Sequence, residues 1–132
     1  MAMSDGAFER ALALQAHAAR LGFDWPGLDG VLDKMAEELR EFEQARAESP
    51  LRQQEELGDL LLTAVNLARH LGVDPAASLD AATARFAARF SGIEAALDQL
   101  PPLGTTARLR AMEALWQKAK LEGVVHGHDE DA

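Results

Sequence analysis

Residues 49–75 read SPLRQQEELGDLLLTAVNLARHLGVDP, and this stretch decides the fold class. Ser49 followed by Pro50 is a helix start: a capping hydroxyl stands ahead of a proline whose fixed φ and missing N–H suit a first helical turn. Leu57, Leu60, Leu61, Ala64, Val65, Ala68 and Leu71 then recur at three- and four-residue spacing, the period of one helix face. Gly72 supplies a stop, and Asp74-Pro75 repeats the start signal.

The same grammar extends outward in both directions. Upstream, Leu28, Val31, Leu32, Met35, Leu39 and Phe42 form one apolar stripe on a helix expected from about Pro26–Leu28 to Ala47, with the stripe facing the core. Before it, Asp5 to Leu21 reads as a helix closed by Gly22, and the turn Gly22-Phe23-Asp24-Trp25-Pro26-Gly27 brings a Phe and a Trp within packing reach. Downstream, Leu79, Ala82, Phe86 and Phe90 mark a helix from Asp74-Pro75 to about Leu97. Pro101-Pro102-Leu103-Gly104 interrupts it, and Thr106 to Lys120 forms a short further helix with Leu109, Met112 and Trp116. Alanine is abundant and β-branched runs are lacking, so no segment reads as a strand. The expectation is an all-α fold, a four-helix bundle with a short C-terminal helix, in a single domain over residues 1–122. Residues 123–132, with His126, His128 and Asp129-Glu130-Asp131, read as a flexible acidic tail.

Composition narrows the function classes. The 132 residues are 48% hydrophobic, enough for one core, and carry a formal net charge of -9. That charge argues against a nucleic-acid partner, since a polyanion is held by clustered Lys and Arg. A small phosphorylated ligand stays open, because a divalent cation reverses the field of an acidic pocket. There is no cysteine, which excludes disulfides and thiolate metal sites. No segment is long and apolar enough for a membrane helix, and no leader pattern opens the chain, so a soluble cytoplasmic protein is expected.

The candidate chemistry lies in two acidic runs, Glu37-Glu38-Leu39-Arg40-Glu41 and Glu55-Glu56-Leu57-Gly58-Asp59. Carboxylates three apart share one side of a helix. Glu38 falls at the edge of its apolar stripe with Glu41 and Lys34 just outside, and Glu56, Asp59, Thr63 and Asn66 form a matching polar strip beside the leucine face. Antiparallel packing would turn these strips toward each other. Four ionised carboxylates brought together repel and lose hydration unless a cation joins them. An all-oxygen set suits a hard divalent ion, Mg²⁺ with Mn²⁺ as the alternative, which can grip a phosphoryl group and activate water. The competing reading is a solvated helix surface with weak ion pairs. A di-iron bundle would require Glu-x-x-His on two helices, whereas His17 and His70 have Leu14 and Leu67 three residues before them.

These residues resemble the MazG-type nucleotide pyrophosphohydrolases of the all-α NTP pyrophosphatase superfamily. That family's signature is Glu-Glu-x-x-Glu followed by Glu-x-x-Asp, present here as Glu37-Glu38-Leu39-Arg40-Glu41 and Glu56-Leu57-Gly58-Asp59. GFDWPGLDGVLDKMAEELREFE and EELGDLLLTAVNLARHLGVDP resemble the second, catalytic domain of MazG, and the likeness continues through RFAARF to MEALWQKAK. The resemblance implies hydrolysis of a nucleoside triphosphate between its α and β phosphates. It also implies Glu38, Glu41, Glu56 and Asp59 as magnesium ligands, Glu37 and Glu55 as tuning neighbours, and a homodimer. Lys34, Arg85 and Arg89 would lie near the triphosphate, Trp116 and Lys120 would meet the nucleotide, and Asn66 would add a polar contact. Apart from the resemblance, Trp25 in its turn could cover a base.

Two departures bear on these implications. Where the family often has Asn-x-Lys-Phe, this chain has Thr83-Ala84-Arg85-Phe86, and where MazG commonly carries two such domains, this chain has one. An enzyme narrower in its nucleotide and a non-catalytic helical module that binds nucleotide or protein are the alternatives.

Overall fold

The computed structural model describes residues 6–131, with side chains to residue 123. The described residues form helices α1 (Ala7–Arg20), α2 (Leu28–Ala45), α3 (Pro50–Leu71), α4 (Pro75–Glu94) and α5 (Thr106–Asp131), with a 3-10 turn at Leu97–Gln99 between the last two. No strand occurs among them, so the all-α reading holds. None of these helices is long and apolar enough to cross a membrane. The side chains of the expected acidic tail fall outside those described.

The helix boundaries follow local chemistry. Ser49 Oγ accepts the Arg52 N–H at 3.2 Å, capping α3 immediately before Pro50. At the other end Gly72 adopts φ +72°, while the N–H groups of Gly72 and Val73 return to Arg69 O and Ala68 O. Gly22 ends α1 in the same way, with φ +93° and the Phe23 N–H on Ala18 O at 2.9 Å. Both glycines supply a left-handed residue that side-chain-bearing residues rarely adopt. Three ends differ from expectation. α5 continues past Lys120 to Asp131, so it is not short, and the backbone of residues 121–131 is helical. After Ala45 and after Glu94 the backbone tightens into three-residue turns, Glu48 N–H to Ala45 O and Ala96 N–H to Ile93 O, so α2 and α4 stop two or three residues early.

The chain divides into two units, one up to Leu79 and one from Asp80 onward. In the first, α3 packs against α2 and, less extensively, against α1. Val31, Ala45, Val65 and Ala68 are its buried apolar side chains. Polar ties hold α1 and the turn after α2 to α3: Gln15 Nε2 donates to Leu62 O at 2.9 Å and Gln53 Nε2 to Arg46 O at 3.2 Å. Trp25 lies against Gly30, where an added Cβ would stand 2.9 Å from Trp25 Cε3. Phe23 does not share this packing and is 83% exposed. The α2 stripe is also only partly covered: Val31 is buried, but Leu32 and Leu39 remain 48% and 55% exposed. Its apolar arc is wider than the surface α3 presents to it.

The second unit has an aromatic cluster between α4 and α5. Phe86 and Phe90 stack with centroids 5.9 Å apart, and Trp116 tilts onto Phe86 at 5.0 Å. The Arg89 guanidinium lies 5.7 Å from the Trp116 ring centroid. Arg108 Nη1 donates to Pro101 O at 3.0 Å, which fastens the proline turn to the start of α5.

Candidate functional site

Glu38 on α2 and Glu56 on α3 are each only 4% exposed. They are pulled inside because each sits at the margin of its helix's apolar face, so the packing of α2 on α3 carries them into the seam. Each is served by a cation one turn earlier on its own helix. Lys34 Nζ lies 3.0 Å from Glu38 Oε1, and Arg52 Nη2 donates to Glu56 Oε1 at 2.7 Å. In both residues the second oxygen, Oε2, is buried without a hydrogen-bond partner. An unsatisfied buried acceptor costs about 1–3 kcal/mol, and more when ionised. Two such atoms in one seam point to a missing partner.

Asp59, one turn after Glu56, stands exposed at the mouth of the seam. Glu38, Glu56 and Asp59 each offer a carboxylate oxygen within 4.8 Å of the others. A hard divalent cation suits oxygen ligands of this kind: it would offset most of the repulsion among three like charges and give the orphaned oxygens a partner. The residues present therefore fit a divalent metal. Glu41 is half-buried beside the cluster. Its pKa is pushed up from the ordinary 4.5, first by burial and then by the negative charges of Glu38 and Glu56.

The surrounding groups are arranged by charge. Lys34 also reaches Glu37 at 3.7 Å, and its own pKa is raised, chiefly by its bond to Glu38. Arg52 is held by Glu48 at 3.3 Å and Glu55 at 3.6 Å besides Glu56. Glu37 and Glu55 are thus half-exposed outer partners of the two cations. Thr63 is buried and donates to Asp59 O at 2.9 Å.

A cleft of about 500 Å³ adjoins the cluster, lined by Gln15, Phe23, Asp24, Trp25, Lys34, Thr63, Asn66 and Arg69 among others. Lys34 and Thr63 belong to both the cleft and the acid site. Asn66 Oδ1 accepts from Arg69 Nε at 3.1 Å and Nη2 at 2.7 Å. Asp24 Oδ1 accepts from Arg69 Nη2 at 2.5 Å and lies 3.0 Å from His70 Nε2. The Arg69 hydrogen bond is the main reason the Asp24 carboxyl is lowered from 3.8 to about 2.

Of the residues singled out in the sequence, Lys34, Glu38, Glu41, Glu56, Asp59 and Asn66 lie in the first unit, around this seam and cleft. Arg85, Arg89, Trp116 and Lys120 belong to the second. There Arg89 and Trp116 meet each other, while Arg85 and Lys120 are exposed. Sequence reasoning passed over Arg52, although it stands four residues before Glu56 just as Lys34 stands four before Glu38. It also passed over the Asp24–Arg69–His70 network, whose partners lie about 45 positions apart with no local spacing to reveal them.

The profile of the family described as phosphoribosyl-ATP pyrophosphohydrolase matches residues 7–86, a span that contains α1 to α3 and the whole acid site. The chain is 37% identical over 114 residues to the nucleoside triphosphate pyrophosphohydrolase/pyrophosphatase MazG of Thermotoga maritima, covering 86% of this chain and 44% of that protein. It is 36% identical over 121 residues to the nucleoside triphosphate pyrophosphohydrolase of Escherichia coli, covering 89% of this chain and 46% of that one. The chain thus spans about half the length of the curated relatives it matches. The matched profile takes in both acidic runs together with the two helices that bring them into one seam, and by that match the chain belongs to the phosphoribosyl-ATP pyrophosphohydrolase family.

Proposed function

We propose that the protein hydrolyses nucleoside triphosphates between the α and β phosphates, releasing the monophosphate and pyrophosphate. The observation that carries this reading is the pair of buried, unpartnered oxygens on Glu38 and Glu56, which lie with Asp59 in one cluster beside a cleft of about 500 Å³. The names and identities of the relatives support it. Glu38, Glu56 and Asp59, with Glu41 at their side, would hold Mg²⁺ or Mn²⁺. Such an ion, when bound, polarises phosphoryl oxygens and lowers the pKa of coordinated water.

The chain's own groups supply the rest. A water oxygen bonds to the α phosphorus, the bridging P–O bond to the β phosphate breaks, and pyrophosphate leaves. Glu41, beside the cluster, takes the water's proton. The Lys34 ammonium offsets charge on the phosphates, and the half-exposed Trp25 face covers the base in the cleft. For Arg85, Arg89, Trp116 and Lys120 the role of substrate contacts rests on the resemblance. The protein acts as a cytoplasmic homodimer in this reading. Phosphoribosyl-ATP carries a triphosphate open to the same cleavage, and the family's description makes it a second candidate substrate.

The test is release of pyrophosphate and monophosphate from a panel of ribo- and deoxyribonucleoside triphosphates plus phosphoribosyl-ATP, with Mg²⁺ and with chelator. Turnover is expected to need the metal and to fall at least about a hundredfold in Asp59→Ala. A folded protein that binds nucleotide and releases no pyrophosphate would instead be a binding module.

A further inference from the structure

Arg52 has three carboxylate partners, and only one of them belongs to the acid site. Its Nη2 donates to Glu56 Oε1 at 2.7 Å, while Glu48 on one side and Glu55 on the other, at 3.3 and 3.6 Å, fix the guanidinium in place. Its backbone N–H is also tied, to the capping Ser49 hydroxyl. Glu56 has two oxygens, and occupying Oε1 from the outside leaves Oε2 as the one directed into the seam, where it is buried and unpartnered. We propose that Arg52 is a positioning residue for the metal: by gripping Glu56 Oε1 it presents Oε2 to the point shared with Glu38 and Asp59. This rests on the reading of the cluster as a divalent-metal site.

The geometry separates this pair from an ordinary surface ion pair. Arg46 and Glu43 approach as closely, 2.6 Å, but both side chains are about two-thirds exposed and neither is a candidate ligand. Glu56 is buried, so its carboxylate has no water to orient it and its rotamer depends on the protein partner it finds. The other helix repeats the design, with Lys34 on Glu38 Oε1 and Glu38 Oε2 left free.

The sign of one measurement decides the matter, because charge and orientation act oppositely. As a mere neighbouring positive charge, Arg52 would repel the metal, and its removal would tighten binding. As the group that orients a ligand, its removal weakens binding, in the way that loss of a ligand's hydrogen-bond partner costs about 10–100-fold in metal affinity. The experiment is titration of the full chain with Mn²⁺, followed by calorimetry and by the electron paramagnetic resonance of free Mn²⁺. Arg52→Gln is expected to weaken binding about tenfold, Arg52→Lys to recover part of the loss, and Arg46→Gln to leave affinity unchanged. Unchanged or tighter binding in a folded Arg52→Gln protein overturns the inference. Should that variant lose its helical circular dichroism, Glu48→Gln carries the test: it frees the guanidinium from behind and is expected to weaken binding in the same direction, and unchanged affinity there overturns the inference equally. Failure of the wild type to bind Mn²⁺ would overturn the metal reading and this inference together, whereas wild-type binding lost in Asp59→Asn sustains the former whatever Arg52 does.

Discussion

At the scale of single residues, the acid site is a balance between stability and function. Glu41 carries a raised pKa because burial and the charges of Glu38 and Glu56 disfavour its ionised form. For a carboxyl raised on folding, the favourable contribution is complete below its unfolded pKa and is lost as the pH rises through the folded value. Glu41→Gln removes a penalised charge, so the variant is expected to melt at a higher temperature than the wild type in chelator at pH 7. The advantage should fade below about pH 4, where the wild-type carboxyl is protonated in both states. The same variant is expected to lose at least about tenfold in pyrophosphate release. Melting curves and turnover on one preparation check both halves.

At the scale of elements, α3 is defined by its ends and anchored from outside. Ser49→Ala removes the side-chain acceptor for the Arg52 N–H and is expected to cost about 1 kcal/mol in urea unfolding. The turn between α1 and α2 is fastened to the far end of α3 by Asp24, through Arg69 and His70. The Asp24 carboxyl is lowered from 3.8 to about 2, first by the Arg69 hydrogen bond and then also by His70. A depressed carboxyl contributes stability that is present above its unfolded pKa and lost as the pH falls through the folded one. Asp24→Asn is therefore expected to melt below the wild type at pH 5 to 7, with the two curves converging between pH 4 and 2. Thermal melts by circular dichroism across that range check the window. Parallel curves at every pH would show that the latch contributes through something other than charge.

At the scale of the whole molecule, the chain leaves much apolar surface uncovered. Leu28, Leu32 and Leu39 on α2 and Leu57, Leu61 and Leu62 on α3 are all exposed. Exposed apolar side chains in this number suit an interaction surface, and self-association through a two-fold axis is the commonest way to cover one. Light scattering after size exclusion is expected to return twice the 14.3 kDa chain mass. Leu32→Glu, in the middle of the α2 stripe, should shift the protein to the monomer.

Much of this protein was determined by local sequence alone. The five helices, the Ser49-Pro50 start and the glycine stops at 22 and 72 depend on capping, φ preference and 3.6-residue periodicity, all of which act within a few residues. The acidic pairs were legible for the same reason, since spacing of three or four places two carboxylates on one side of a helix. Tertiary structure decided what spacing does not encode. It selected Val31 over Leu32 and Leu39 for burial, because only the packing of α3 on α2 determines how much of a stripe is covered. Packing also sealed Glu38 and Glu56 in the seam while leaving Asp59 at its mouth, and it left one oxygen on each glutamate without a partner. Asp24 met Arg69 and His70 only because a turn folds back on a distant helix end. Burial and long-range pairing are properties of two surfaces in contact, so they emerge only when the helices meet.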